Sequence, residues 1–144
     1  MKAQEYIKQY IKQKSIIANC WAEVAHWKDI AHSITGNTEG ERVQSSGSKQ
    51  KMADAVISYS DIEDEIKQRI AKANEIQCEI LDTIELLKES EYDVLHKLYI
   101  QGKTFKEIAV LKDKSISWVT SMHGNALKNL QRILDNRENV DEII

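Results

Sequence analysis

An apolar residue recurs at every third or fourth position from Tyr59 to Leu87, and this stripe constrains the fold more than any other feature. Its members are Tyr59, Ile62, Ile66, Ile70, Ala73, Ile76, Ile80, Ile84 and Leu87, with a mean step of 3.5 residues. Such a spacing, sustained over several heptads, is typical of a long α-helix that packs against another helix. We therefore predict a helix over residues 51–88 whose stripe is buried.

A second apolar stripe predicts a helix over residues 2–33. Its members are Tyr6, Tyr10, Ile17, Trp21, Val24, Trp27 and Ile30 or Ala31. The segment "TGNTEGERVQSSGSKQ" between the two stripes is rich in glycine and serine, so we predict a loop near residues 35–50. The two helices then form an antiparallel hairpin, or the second helix pairs with its copy in a homodimeric coiled coil. We favour the hairpin, in which Cys20 lies opposite the mid-sixties and too far from Cys78 for a disulfide.

Composition narrows the fold class to all-α. The chain contains no proline, and its 23 acidic and 20 basic residues are accompanied by many helix-forming side chains. No segment approaches the roughly 20 apolar residues of a membrane span, and the polar N-terminus does not resemble a secretory signal. We expect a cytoplasmic protein with no membrane partner.

Residues that carry catalysis or bind metals are scattered. Cys20 and Cys78 are solitary, and the four histidines lack metal-ligand spacing. Motifs for nucleophilic catalysis or phosphate binding are missing, and the acidic run Glu63-Asp64-Glu65 is typical of a solvated helix face. We therefore expect no enzyme, no cofactor and no metal site.

The C-terminal third carries closely spaced signals for helix ends. Gly102 follows the apolar segment of a helix predicted over residues 91–101 and suits a left-handed C-cap. Thr104 and Glu107 have the spacing of a capping box before a helix over 104–112. Ser115 then offers an N-cap hydroxyl to a third helix over 115–135. Helices joined by so short a turn cross steeply, as in a helix-turn-helix.

The chain is thus predicted to comprise a helical region, a head and a tail. Residues 1–89 form the helical N-terminal region, 90–138 form a trihelical helix-turn-helix head, and 139–144 form the tail. Residues 92–139 contain 8 Lys and Arg against 5 Asp and Glu, whereas residues 1–91 contain 12 against 16. The positive balance of the head favours nucleic acid as its partner.

The stretch "YDVLHKLYIQGKTFKEIAVLKDKSISWVTSMHGNALKNL" resembles region four of bacterial sigma factors, which reads an upstream promoter element. The matching positions are Leu95, Tyr99, Gly102, Ile108, Ala109, Ser117, Val119, Ala126 and Leu127. The similarity is greater to phage and prophage regulators of the ArpU/RinA-like group, which carry this module behind a helical N-terminal part. Trp118-Val119 and the segment "HGNAL" are similar to their pattern. The resemblance implies a transcriptional regulator with a DNA-reading helix after Ser115.

The chain departs from the sigma pattern in the turn and on the reading helix. Sigma-type turns usually have an apolar residue, a glycine and another apolar residue, where this chain has Lys112, Asp113 and Lys114. We expect Leu111 and Ile116 to anchor the turn instead. The reading helix carries few cations, so weaker phosphate attraction is expected. Gly124 within it predicts that a phosphate or the neighbouring helix approaches the backbone closely.

The candidate DNA-binding residues lie on the second and third helices of the head. They are Thr104, Lys106, Ser115, Ser117, Trp118, Thr120, Ser121, Asn125 and Lys128. On the frame of buried Val119, Met122, Ala126 and Leu130, the outward positions are Ser117, Thr120, Ser121 and Gly124. Trp118 also has a purely structural interpretation, because it suits packing at the edge of the head. Two residues outside this list have the same kind of interpretation: His123 suits packing, and Ala109 suits the core. Lys103, Lys106, Lys112 and Lys114 are equally consistent with phosphate contacts and with solubility.

These patterns together predict a sequence-specific, DNA-binding transcriptional regulator of phage or prophage origin. Double-stranded DNA is its expected partner, with RNA polymerase and a second copy of the chain as further candidates. Two other functions stay open: a small terminase subunit that marks phage DNA for packaging, and an interaction module whose head binds polymerase. A ring-shaped oligomer would favour the terminase, and a monomer or dimer the regulator.

Overall fold

The computed structural model describes residues 1–36 and 46–143, with side chains over residues 1–33 and 59–142. Throughout these residues the chain is all-α, as predicted, and contains no strand. Its elements are α1 (Ala3–Gly36), α2 (Ser46–Ile84), α3 (Glu89–Leu95) with a π-helical turn (His96–Ile100), α4 (Phe105–Lys112) and α5 (Ile116–Ile143). None of the helices described is long and apolar enough to cross a bilayer.

Three helix boundaries differ from the prediction. The first helix of the head begins at Glu89, two residues before the predicted start at residue 91, and Glu89 and Glu91 in its first turn complement the helix dipole. α2 begins at Ser46, so the predicted loop is shorter than residues 35–50, and residues 37–45 lie outside the described part of the chain. α5 continues through the predicted tail, because "NRENVDEI" contains no glycine or proline to end it.

The chain divides into two compact units. One unit comprises residues 15–74, which include the C-terminal part of α1 and most of α2. The other comprises residues 1–14 and 75–144, so the N-terminal end of α1 and the C-terminal end of α2 belong to the same unit as the head. This division does not coincide with the predicted boundary near residue 90.

In the unit of residues 15–74, α1 and α2 pack through a small apolar cluster. Cys20, Ile66 and Ile70 are buried there, with Ile16, Ile17, Val24 and Ile62 against them. Cys20 thus lies where the hairpin prediction placed it, and both cysteines are free thiols. Glu23 and Arg69 form an exposed ion pair at 3.7 Å between the two helices.

The predicted stripe of α1 is wrong at its tryptophans. Trp21 is 55% exposed and Trp27 is 37% exposed, whereas Cys20 is buried. Either Cys20 or Trp21 connects Ile17 to Val24 by one step of three and one of four residues, so helical spacing permits both. The structure selects the smaller side chain, which suits close packing of two helices.

In the other unit, the ends of the long helices complete the core of the head. Its buried residues are Ala3, Tyr6, Ile7, Ile80, Ile84, Leu95, Tyr99, Ala126, Leu130 and Leu134. The Tyr6 hydroxyl lies 2.9 Å from the Thr83 hydroxyl, and Gln77 donates to the Tyr10 carbonyl at 3.3 Å. Here the residue numbers of α1 rise as those of α2 fall, so the two helix ends run antiparallel.

The C-terminal half of α5 is held by the same helix ends. Arg137 donates to the Thr83 hydroxyl at 2.9 Å, and Gln131 accepts from the backbone N–H of Ala3 at 2.7 Å. The N-terminal ammonium lies 3.3 Å from the Glu138 carboxylate. These contacts give residues beyond 130 a packing role, which explains why α5 runs past the predicted end at residue 135.

Candidate nucleic-acid interface

The two helices of the predicted motif begin where their capping residues predicted. The Thr104 hydroxyl accepts from the backbone N–H of Glu107 at 3.2 Å, and the Ser115 hydroxyl accepts from that of Trp118 at 3.0 Å. Each bond satisfies one of the N–H groups that a helix start leaves unpaired. Thr104 and Ser115 therefore have structural roles, and both remain at the surface.

The turn between α4 and α5 is built around Asp113. This residue adopts the left-handed conformation, with φ 54° and ψ 48°. Lys114 N–H donates to the Ala109 carbonyl at 2.9 Å and Asp113 N–H to the Val110 carbonyl at 3.3 Å, which is the Schellman pattern. Aspartate is among the few residues other than glycine that tolerate this conformation. The turn thus closes in the usual way without the glycine of the sigma pattern.

The expectation that Leu111 and Ile116 anchor this turn is wrong. Leu111 is 58% exposed and Ile116 is 51% exposed. The backbone bonds of Asp113 and Lys114 close the turn by themselves, so no apolar anchor is required. These two side chains and Val110, which is 78% exposed, are instead exposed apolar residues on either side of the turn.

The three helices of the head share a small core, which includes the residues predicted for it. Val94 of α3, Ile108 and Ala109 of α4, and Val119 of α5 are buried together. Leu98, Phe105, Trp118 and Met122 pack against them. This core fixes the rotation of α5 about its axis, and that rotation decides which of its side chains face outward.

His123 joins α5 to the two helical segments before it. Its Nε2 lies 2.8 Å from the Tyr99 hydroxyl, and its ring meets Phe105 edge-on with centroids 5.3 Å apart. Burial lowers the pKa of His123 and raises the pKa of the Tyr99 hydroxyl. A neutral imidazole that accepts from the tyrosine satisfies both groups. His123 is therefore a packing residue, as its structural interpretation predicted.

The outward side of α5 carries short polar side chains. Ser117, Thr120, Ser121, Asn125 and Lys128 are exposed, and so is Gly124. This arrangement matches the predicted frame, in which Val119, Ala126 and Leu130 are buried. A Cβ at Gly124 would meet no atom within 4 Å. The expectation that the neighbouring helix approaches the backbone at Gly124 is therefore wrong.

Trp118 lies at the edge of the head. Its ring packs partly against the core, and the Lys114 ammonium lies 5.4 Å from the ring centroid. That distance is within the range of a cation–π contact. The indole therefore helps to hold Lys114 near the start of α5.

Two lysines of the head are occupied by an acidic partner. Asp93 of α3 pairs with Lys97 in the π-helical turn that follows and with Lys112 at the end of α4. Burial alone would raise the pKa of Asp93, but hydrogen bonds and charge from Lys112 and Lys97 outweigh it and lower that pKa. Lys112 thus ties α4 to α3, whereas Lys106, Lys114 and Lys128 are exposed. A pairing between residues 19 positions apart leaves no signal in the sequence.

Sequence reasoning also missed the exposure of Val110, Leu111 and Ile116. Val110 and Leu111 follow directly after the buried residues Ile108 and Ala109. Because a short amphipathic helix buries only one face, this position indicates that they are exposed. Among the described residues, no three His, Cys, Asp or Glu side chains form a group that could hold a metal ion. Comparisons with protein-family models, curated proteins and solved structures gave no significant match.

Proposed function

We propose that this chain is a sequence-specific DNA-binding transcriptional regulator of phage or prophage origin, with α5 as its reading helix. The observation that carries the proposal is the exposed row of Ser117, Thr120 and Ser121 on the first turns of α5, directly after a tight turn. Helix-turn-helix proteins present these turns to the major groove, which is about 12 Å wide and admits one helix.

The charge of the head supports a modest electrostatic contribution to binding. Lys106, Lys114 and Lys128 are exposed and suit phosphate contacts, whereas Lys97 and Lys112 are paired with Asp93. Each neutralised phosphate releases counterions and adds about 0.9 to the salt slope. We therefore expect a shallow salt dependence, with specificity carried by the outward face of α5.

Selection from a random duplex library with the full chain, at about 50 mM salt, tests the proposal. We expect an enriched motif, and we expect Ser121→Glu to abolish enrichment because it adds a negative charge to the outward face. Ser60→Glu is the matched control, because Ser60 is exposed on α2 within residues 15–74. This substitution adds the same negative charge away from the head. Absence of any enriched motif with the unaltered chain would reject the proposal.

A second candidate function is favoured by the exposed side chains of Val110 and Leu111 on α4. An apolar surface of this kind suits a protein partner, which for a regulator would be RNA polymerase. Co-purification of the full chain with polymerase, lost in Leu111→Ser but retained in the control Leu86→Ser, would support it. Leu86 is 65% exposed outside the helices of the head. Light scattering that gave the mass of a ring would favour the terminase instead.

A further inference from the structure

Ile116 is an unusual residue to find exposed at the start of the proposed reading helix. It is the first residue of α5 and 51% of its surface is exposed, whereas Val119, three residues later, is fully buried. The turn closes through backbone bonds of Asp113 and Lys114, so Ile116 is not needed to hold it. Its side chain is therefore available to a ligand at the position where reading helices meet base edges.

Thr120 lies on the same side of the helix, four residues after Ile116. Its hydroxyl donates to the Ile116 carbonyl at 2.9 Å. The only proton of that hydroxyl is thus committed to the backbone, and Thr120 cannot donate it to a base. Thr120 thus offers a ligand a hydroxyl oxygen that can only accept, and a methyl group that extends the apolar surface of Ile116 by one helical turn.

The rest of the outward face lacks the side chains that read guanine. Positions 116, 117, 120, 121, 124 and 125 contain no arginine or lysine, which are the residues that pair with guanine through two hydrogen bonds. Exposed Lys106, Lys114 and Lys128 supply the positive charge that suits a polyanionic partner. The face therefore combines phosphate attraction with methyl groups. Thymine presents the only methyl group among the standard bases in the major groove.

We propose that Ile116 and Thr120 select thymine, through contact of their apolar atoms with the thymine C5-methyl groups. This inference rests on the proposed function, because it requires that α5 enter the major groove. Gly124 continues the same side of the helix without a side chain, so the groove can approach the backbone there. Burial of one methyl group contributes about 0.8 kcal/mol, which corresponds to roughly fourfold in affinity.

Replacement of thymine by uracil tests the methyl contact directly, since it removes the C5-methyl group and leaves base pairing unchanged. The duplex is the one that the full chain enriches from a random library, with each thymine replaced in turn. We expect one or two replacements to weaken binding by about fourfold each. For at least one of these positions, the Ile116→Ala variant should bind the thymine duplex and the substituted duplex with equal affinity. Val140→Ala, the matched control, truncates an apolar side chain that is 55% exposed at the other end of α5, and it should retain the full difference.

The possible outcomes separate this inference from the function beneath it. If no duplex is bound even at low salt, the proposed function fails and this inference fails with it. If DNA is bound but no replacement of thymine by uracil changes the affinity, only the selection of thymine is overturned. If the replacements matter but Ile116→Ala and Thr120→Ala retain the whole effect, other residues read the methyl groups and the assignment is overturned. Melting temperatures of the variants exclude loss of folding as the cause.

Discussion

The Tyr99 hydroxyl and Nε2 of His123 lie 2.8 Å apart, in a contact that connects the first helical segment of the head to α5. Tyr99 is buried in the π-helical turn that follows α3, and His123 lies in α5. In the neutral tautomer that leaves Nε2 unprotonated, the tyrosine donates and the imidazole accepts, and protonation of His123 removes that acceptor. The contact between the π-helical turn and α5 therefore depends on the protonation state of His123.

We expect the head to lose stability as the pH falls below about 6.5. Burial lowers the pKa of folded His123 from its ordinary value of 6.5, so the unfolded chain binds the proton more readily. The stabilisation is fully present above that value and decreases as the pH falls toward the folded pKa. Chemical denaturation of the full chain at pH 7.5 and at pH 5.5 measures the loss.

His123→Gln separates this effect from the other titrating groups. The variant should be less stable at pH 7.5 and should lose less stability on acidification than the unaltered chain. The carboxylate of Asp93, whose pKa is lowered from 3.8, does not confound the comparison, because its stabilisation is lost only at more acidic pH. An equal loss of stability in both proteins would show that His123 is not the group responsible.

A second prediction concerns the left-handed residue of the turn. Asp113→Gly should leave stability unchanged or raise it by up to about 1 kcal/mol, because glycine adopts positive φ without strain. Asp113→Val should destabilise by about 1–2 kcal/mol or more, because a β-branched residue is strained at φ 54°. Exposed Lys72, in the interior of α2, is the control: Lys72→Gly should destabilise by about 1 kcal/mol, since glycine costs that much in a helix interior. Equal effects of glycine at both positions would contradict the left-handed turn.

The parts of the fold that depend on local chemistry could be predicted from the sequence. Thr104 and Ser115 were identifiable as caps because a hydroxyl and an N–H three residues away meet wherever a helix starts. Gly102, with φ +72°, ends the first helix of the head for an equally local reason. Val119 followed from spacing, since the frame of buried residues determines one face of α5, and Ala109 followed from the need for a small residue where two helices cross closely.

The parts that depend on distant partners could not be predicted. Helical spacing allows Cys20 or Trp21 to face α2, and only the partner helix decides between them. The packing of Tyr6 and Ile7 with the core of the head joins positions more than 70 residues apart, for which the sequence contains no signal. The exposed Ile116 was missed because a turn closed by backbone bonds needs no apolar anchor, and backbone bonds are invisible in a sequence.

A third prediction tests the shared core of the helix ends and the head. Ile80 is fully buried, so Ile80→Ala should destabilise the full chain by about 2–5 kcal/mol. Leu86→Ala is the control, because Leu86 is 65% exposed and its truncation should change stability by less than about 0.5 kcal/mol. Urea denaturation of both variants measures the difference. Similar midpoints would mean that α2 does not contribute its stripe to this core.

A fourth prediction follows for the isolated head. A fragment of residues 89–144 lacks Tyr6, Ile7, Ile80 and Ile84, all of which are buried with Leu95 and Leu130 in the whole chain. A domain of about 55 residues is marginal even with an intact core, so this fragment should fold weakly. Circular dichroism should show partial helicity without a cooperative thermal transition. A sharp transition like that of the full chain would show that the head is independent of the helix ends.

The last prediction separates the residues that select a sequence from those that attract DNA. Ser121→Ala and Thr120→Ala should change which sequences bind, by about 1 kcal/mol per contact, because they alter the face that meets base edges. Lys128→Ala should instead weaken binding to all sequences alike and lower the salt slope by about one unit, since a phosphate contact carries no sequence information.

Lys72→Ala is its matched control, because Lys72 is exposed on α2 outside the head and the substitution removes the same charge. Selection profiles at two salt concentrations measure both quantities. Unchanged preferences in all the α5 variants, with undiminished affinity, would mean that this helix does not read DNA, whereas equal losses in Lys128→Ala and Lys72→Ala would mean that total charge, and not a phosphate contact at Lys128, attracts the duplex.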